Sequence, residues 1–147
     1  PEAAPFAPDV LARITAAEAA ERRGDLAALN ELEAQLWLDG PAQPAGRVGG
    51  PLRELFLAMN AIALANGSAG EERAAPSAWE RLEALSVPTL VIWGPLDFPH
   101  IDVRLRELVR RAPGARAVVI DGTAHFPNLE QPERFNRALK TFLEALR

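Results

Sequence analysis

The chain has 147 residues, 48% of them hydrophobic, with a net charge of −4 and no cysteine. That composition supports a folded domain with a real core and excludes a disordered chain. The acidic balance argues against nucleic acid, since phosphate binding needs a basic face, and the lack of cysteine excludes disulfides, thiolate catalysis and Cys-based metal sites.

A cysteine-free chain fits a reducing, cytoplasmic compartment. No apolar stretch approaches the roughly 18–20 residues that span a bilayer, so no membrane partner is expected. The sequence opens with Pro1-Glu2-Ala3-Ala4-Pro5 and not with Met, so the lack of a signal peptide carries no weight.

From Val10 to Gly67 the pattern is helical throughout. Asp9 can cap a first helix carrying Val10, Leu11 and Ile14 on one side. Gly24-Asp25 ends that helix and starts a second, with Leu26, Leu29, Leu32 and Leu36 at helical spacing. Trp37 lies near its end, where it either packs between helices or lines a hydrophobic pocket. Asp39-Gly40-Pro41 is a firm stop, and a loop rich in Pro and Gly follows. Pro51 suits the first turn of a third helix with Leu52, Leu55, Phe56, Met59 and Ile62 as its apolar positions, closed by Asn66-Gly67. Ser68–Pro76 is small, polar and charged, as an exposed linker would be.

After Pro76 the elements alternate. A short helix around Trp79 to Leu85 leads into the strand Thr89–Trp93. A helix with Ile101, Leu105, Leu108 and Val109 on one face follows, and Ala112-Pro113-Gly114 breaks it. The strand Ala117–Ile120 is next, and Pro132 opens a last helix striped with Phe135, Leu139, Phe142, Leu143 and Leu146. This order makes the fold class α/β, with parallel strands that should be buried on both faces. Two parallel strands do not complete such a sheet. The second part of the chain therefore reads as the edge of a larger sheet, incomplete as a stand-alone domain, with exposed strand edges.

Asp97 follows the first strand directly, where open α/β sheets collect catalytic groups. It can accept a hydrogen bond from an imidazole Nδ1–H and fix its tautomer, or cap the helix starting near Pro99 and His100. The two roles use different oxygens and are compatible. His125 follows the second strand in Asp121-Gly122-Thr123-Ala124-His125-Phe126. Alone it would be a half-buried loop histidine, but beside Asp97 it reads as a general base. Phe98 and Phe126 each follow one member of this pair, so at least one of them is expected to touch the substrate cavity. His100, near Asp102 and Arg104, reads as a surface residue. Glu130, in the acidic helix entry Glu130-Gln131-Pro132-Glu133, reads as structural.

No metal site is expected, because the two histidines have no ligand spacing. No cofactor is expected either, because the glycines form neither a G-x-G-x-x-G nor a P-loop. Ser68, Ser77 and Ser86 sit in linker or helix-flank contexts, and nowhere is there a G-x-S-x-G elbow.

The stretches Pro88-Thr89-Leu90-Val91-Ile92-Trp93-Gly94-Pro95-Leu96-Asp97 and Gly122-Thr123-Ala124-His125-Phe126-Pro127-Asn128-Leu129-Glu130-Gln131-Pro132 resemble the C-terminal part of an α/β-hydrolase. The family pattern is P-x-L-x-I-x-G-x-x-D followed by G-x-x-H-x-x-x-x-E-x-P, and it covers Ser86 to Arg147 of this chain. Pro95 stands where family members often carry an acidic residue. Residues 1–75 resemble the helical cap, or lid, of lactonase-like and esterase-like members, and residues 76–147 the last two parallel strands of the core with their flanking helices.

The resemblance implies a serine hydrolase of small esters or lactones. His125 and Asp97 would be two members of its Ser-His-Asp triad, with Trp37, Phe98 and Phe126 lining the substrate pocket. The nucleophile and oxyanion hole would come from the N-terminal half of the hydrolase core, which is not in this sequence. That half, or a second copy, is the expected partner. The alternatives are a relative with an Asp nucleophile, such as a dehalogenase or epoxide hydrolase, and a non-catalytic truncated chain acting only by association. By itself the chain is expected to be inactive.

Overall fold

The computed structural model describes residues 5–67, 70 and 75–146. They fall into two compact units, one spanning Pro5–Glu72 and one starting at Arg73. The linker expected over Ser68–Pro76 lies mostly outside the described residues.

The first unit is helical. Helix α1 spans Pro8–Arg23, α2 spans Leu26–Glu33, and α3 spans Gly50–Asn66. The expected cap at Asp9 is corrected: Pro8 opens the helix behind Ala7, and Asp9 lies inside the first turn. Proline's fixed φ is already helical and it has no N–H to be satisfied, so it starts the helix one residue early. Asp9 then meets the positive end of the helix dipole and faces Arg13 at 3.9 Å. The turn to α2 follows the expected pattern. Gly24 closes α1 in the left-handed region at φ 70°, and the Asp25 side chain accepts from the Ala28 N–H at 3.1 Å.

Past Glu33 the helix widens into a π-helical segment, Ala34–Asp39, which ends at Gly40 with φ 100°. Its buried residues, Ala34, Leu36 and Leu38, join Val10, Ala17, Ala20, Leu29 and Phe56 in the core of this unit. Trp37, within this segment, is half-buried. The apolar positions of α3 divide: Phe56 is buried, while Leu55, Met59 and Ile62 are exposed.

Asp39 organises the loop after the segment. Its side chain is wholly buried and accepts from the Gly46 N–H at 2.8 Å, the Val48 N–H at 2.9 Å and Arg53 Nη1 at 2.9 Å. Arg47 donates to the carbonyls of Leu38 and Asp39, and Arg13 to those of Pro41 and Gln43. The carboxylate thus satisfies donors that the Pro- and Gly-rich loop has no ladder to satisfy.

The second unit is α/β. A 3-10 helix, Ala78–Ala84, precedes strand β1 (Leu90–Trp93), helix α4 (Pro99–Arg111), strand β2 (Arg116–Val119), the short helix α5 (Pro127–Glu130) and helix α6 (Pro132–Glu144). The strands run parallel in the register Leu90↔Arg116 to Trp93↔Val119, with α4 packed on both and α6 on β1. Glu83 and Arg111 form a two-point ion pair at 2.6 and 2.9 Å between the 3-10 helix and α4. That guanidinium holds the Glu83 carboxyl down to about 2. At the other end of α4, Asp102 accepts from Trp93 Nε1 at 2.8 Å and from Arg106 Nε at 2.8 Å. The Arg106 bond, helped by the Trp93 bond, holds the Asp102 carboxyl below its ordinary range against the effect of burial.

The expectation that both strands are buried is corrected. Arg116 and Ala117 are exposed, most other strand residues are half-buried, and within the strands only Trp93 is buried. Among the described residues the sheet has two strands, so each has one edge without a neighbouring strand. Burial rises toward the carboxyl ends, at Trp93, Phe98, Ile120 and Ala124. Val87, Leu139, Leu143 and Leu146 are exposed around the opposite end and along α6. No described helix is long and apolar enough to cross a membrane.

Replacing Asp39 with Ala leaves two loop N–H groups without their acceptor, while Arg53 keeps its ion pair with Glu31. The expected cost is about 1–3 kcal/mol, to be read as a lowered urea midpoint.

Candidate active site

The carboxyl ends of β1 and β2 bring Asp97 and His125 together. His125 Nδ1 and Asp97 Oδ2 are 2.6 Å apart. A carboxylate can only accept, so the proton of this bond belongs to Nδ1, and proton exchange with a reacting group falls to Nε2. The Asp97 side chain is 4% exposed and that of His125 40% exposed. The orienting group is therefore shielded from water while the imidazole faces outward.

Asp97 uses its two oxygens separately, and the expected helix cap is corrected: Phe98 stands at the N-cap of α4, and no side chain caps that helix. Oδ2 meets His125, and Oδ1 accepts from the Phe98 N–H at 2.7 Å, just where α4 begins. The second bond fixes the carboxylate's rotation, so the first is aimed by the backbone.

The two turns are interlocked. The Leu96 N–H donates to the Thr123 carbonyl at 3.0 Å, and Thr123 Oγ1 donates to the Ile120 carbonyl at 2.7 Å. Gly94 is in contact with this turn. A Cβ built there would lie 2.2 Å from the Thr123 carbonyl oxygen and 2.4 Å from that of Ala124. Gly122, at φ 82°, lets the chain reverse after β2. Downstream, the Glu130 carboxylate accepts from the Ala124 N–H at 2.8 Å, while Gln131 and Arg134 donate to the Asp121 carbonyl.

The aromatic candidates take different places. The Phe126 ring stands edge-on to the His125 ring with centroids 5.2 Å apart, and it is half-buried. Phe98 is buried, its ring 5.5 Å from that of His100. His100, expected at the surface, is half-buried against it. Trp37 belongs to the helical unit.

Sequence reasoning missed the Glu130 bond and the Gly94 contact. Both residues lie inside the two motif stretches, where an otherwise unexplained Gly and Glu are the available signal. The Asp39 cluster was visible only as a helix stop. Among the described residues no group of three His, Asp or Glu side chains is arranged to hold a metal ion. An open concavity of about 420 Å³ lined by Pro76, Ala78, Arg81, Leu82, Ala84 and Leu85 contains neither member of the pair.

Residues 1–138 match the model of a family described as the Alpha/beta hydrolase family. A Bacillus subtilis (strain 168) protein provisionally named as a 2-succinyl-6-hydroxy-2,4-cyclohexadiene-1-carboxylate synthase is 31% identical over 96 residues, which is 65% of this chain and 35% of that protein. A 2-hydroxy-6-oxononadienedioate/2-hydroxy-6-oxononatrienedioate hydrolase of Burkholderia vietnamiensis is 42% identical over 69 residues, 46% of this chain and 24% of that one. Among solved structures, a thermophilic esterase from Thermogutta terrifontis superposes with a TM-score of 0.63 at 25% identity, over 98% of this chain and 53% of the esterase. The chain thus spans about half of the esterase and smaller shares of the curated relatives.

Gly94→Ala should force the two strand-end turns apart, since its Cβ has no flexible neighbour to displace. The expected loss is about 1–3 kcal/mol of stability together with the Asp97–His125 contact. Denaturation measures the first, and the His125 ring resonances in NMR the second.

Proposed function

The chain belongs to the alpha/beta hydrolase family, and from that premise we propose that it carries the acid–base half of a serine hydrolase acting on small esters or lactones. The observation that carries the reading is the 2.6 Å contact between His125 Nδ1 and a shielded Asp97 at adjoining strand ends. Likeness to an esterase over nearly the whole chain supports ester chemistry. The hydrolase name of one curated relative supports the wider class.

In this reading a serine outside these 147 residues attacks the substrate carbonyl. His125 Nε2 takes the hydroxyl proton as the carbon–oxygen bond forms. Asp97 holds the imidazole in the Nδ1–H tautomer and stabilises the imidazolium. Backbone N–H groups, also outside this sequence, receive the charge on the carbonyl oxygen. As the carbonyl re-forms, the bond to the leaving alkoxide breaks and His125 returns its proton to that oxygen. A water, deprotonated by His125, then attacks the acyl carbon; the bond to the serine oxygen breaks, the acid leaves, and His125 returns the proton to the serine. The helical residues, about 1–75, act as the cap. Residues 76–147 form the last part of the core, with Phe126 beside the reacting centre and Phe98 behind Asp97.

The test is turnover of p-nitrophenyl acetate by the full-length protein. His125→Ala and Asp97→Asn should each lower kcat by about 10⁴-fold, and the isolated 147 residues should be inactive. A full-length His125→Ala variant with wild-type turnover would refute the assignment.

A further inference from the structure

The peptide plane between Thr123 and Ala124 is held at both of its polar ends. Its carbonyl accepts from the Leu96 N–H at 3.0 Å, and its N–H donates to the Glu130 carboxylate at 2.8 Å. Leu96 immediately precedes Asp97, and Ala124 immediately precedes His125. One rigid amide therefore links the turn that carries the acid to the turn that carries the base. Ala124 and Thr123 are wholly buried, so water does not readily substitute for either bond.

The Glu130 bond is the distinctive half of this arrangement. A carboxylate acceptor makes a stronger and shorter bond to a backbone N–H than a neutral group does. Glu130 ends α5, whose start at Pro127 follows His125 closely. The short helix thus reaches back over the histidine and grips the residue in front of it. The other braces on this turn, from Gln131 and Arg134 to the Asp121 carbonyl, lie in exposed surroundings farther from His125.

We propose that Glu130 is a positioning residue: through the Ala124 N–H it sets the Thr123–Ala124 peptide, and thereby the distance and angle of His125 against Asp97. This rests on reading His125 as the general base. Because Glu130 acts through the Ala124 N–H, its effect should fall on kcat. A misplacement on the order of 1 Å costs about 10²-fold in rate.

The experiment uses the full-length protein with p-nitrophenyl acetate, alongside NMR of the downfield His125 Nδ1 proton. Glu130→Ala should lower kcat by about 10- to 100-fold, leave KM within about threefold, and shift or broaden the Nδ1 signal. Glu130→Gln, whose side-chain carbonyl can accept the same bond more weakly, should lose less kcat than Glu130→Ala and shift the signal less. If Glu130→Ala does not fold, Glu130→Asp supplies the weakened case: the carboxylate withdraws by one methylene and kcat should fall.

Wild-type kcat and an unchanged Nδ1 signal in the weakened variant would overturn the proposal. So would a Glu130→Gln variant as impaired as that one. The Nδ1 signal depends on the Asp97–His125 contact and not on turnover. Full turnover in His125→Ala therefore refutes the hydrolase reading, while the NMR arm judges Glu130 separately.

Discussion

The α/β unit depends on a close approach of two loops. Where β1 ends, Gly94 leaves room for the Thr123 and Ala124 carbonyls at a distance no side chain would permit. Because the loops touch there, the Leu96 N–H reaches the Thr123 carbonyl, and Asp97 and His125 come within 2.6 Å. Parallel pairing of β1 and β2 supplies the direction of both loops. The hydrogen bonds around Thr123 and Ala124 then convert a rough meeting of strand ends into a defined contact. Trp93, Phe98, Ile120 and Ala124 are buried at this end of the sheet.

The helical unit solves a related problem with a charge. A loop rich in Pro and Gly has few backbone partners of its own, and Asp39 provides one buried acceptor for two of its N–H groups and for Arg53. A buried carboxylate is costly unless its oxygens are saturated, and here they are. Both units thus use an acidic side chain to hold an irregular loop, Asp39 in one and Glu130 in the other. In the second unit the loop also carries the candidate base.

Much of this was legible in the sequence, and for local reasons. The β-branched runs marked both strands to within a residue, and Gly24-Asp25, Asp39-Gly40-Pro41, Pro51 and Asn66-Gly67 marked helix ends because their backbone preferences are intrinsic. The pairing of Asp97 with His125 followed from two strands that must lie parallel. Other features depend on contacts that leave no periodic trace. The Glu130 to Ala124 bond spans a turn, and the Gly94 contact joins loops distant in sequence. The π-helical widening at Ala34–Asp39 has no pattern separate from an ordinary helix. Strand burial was overestimated because apolar character reports what a strand would prefer to cover, and among the described residues the sheet has two strands and so two open edges.

The central claim is that Asp97 and His125 await a nucleophile from outside these 147 residues. The most direct measurement is a crystal structure of the full-length protein after reaction with a fluorophosphonate. The account predicts a phosphonylated serine oxygen within about 3 Å of His125 Nε2, with Nδ1 still bonded to Asp97. A modified residue remote from His125, or an imidazole turned away from Asp97, would contradict it.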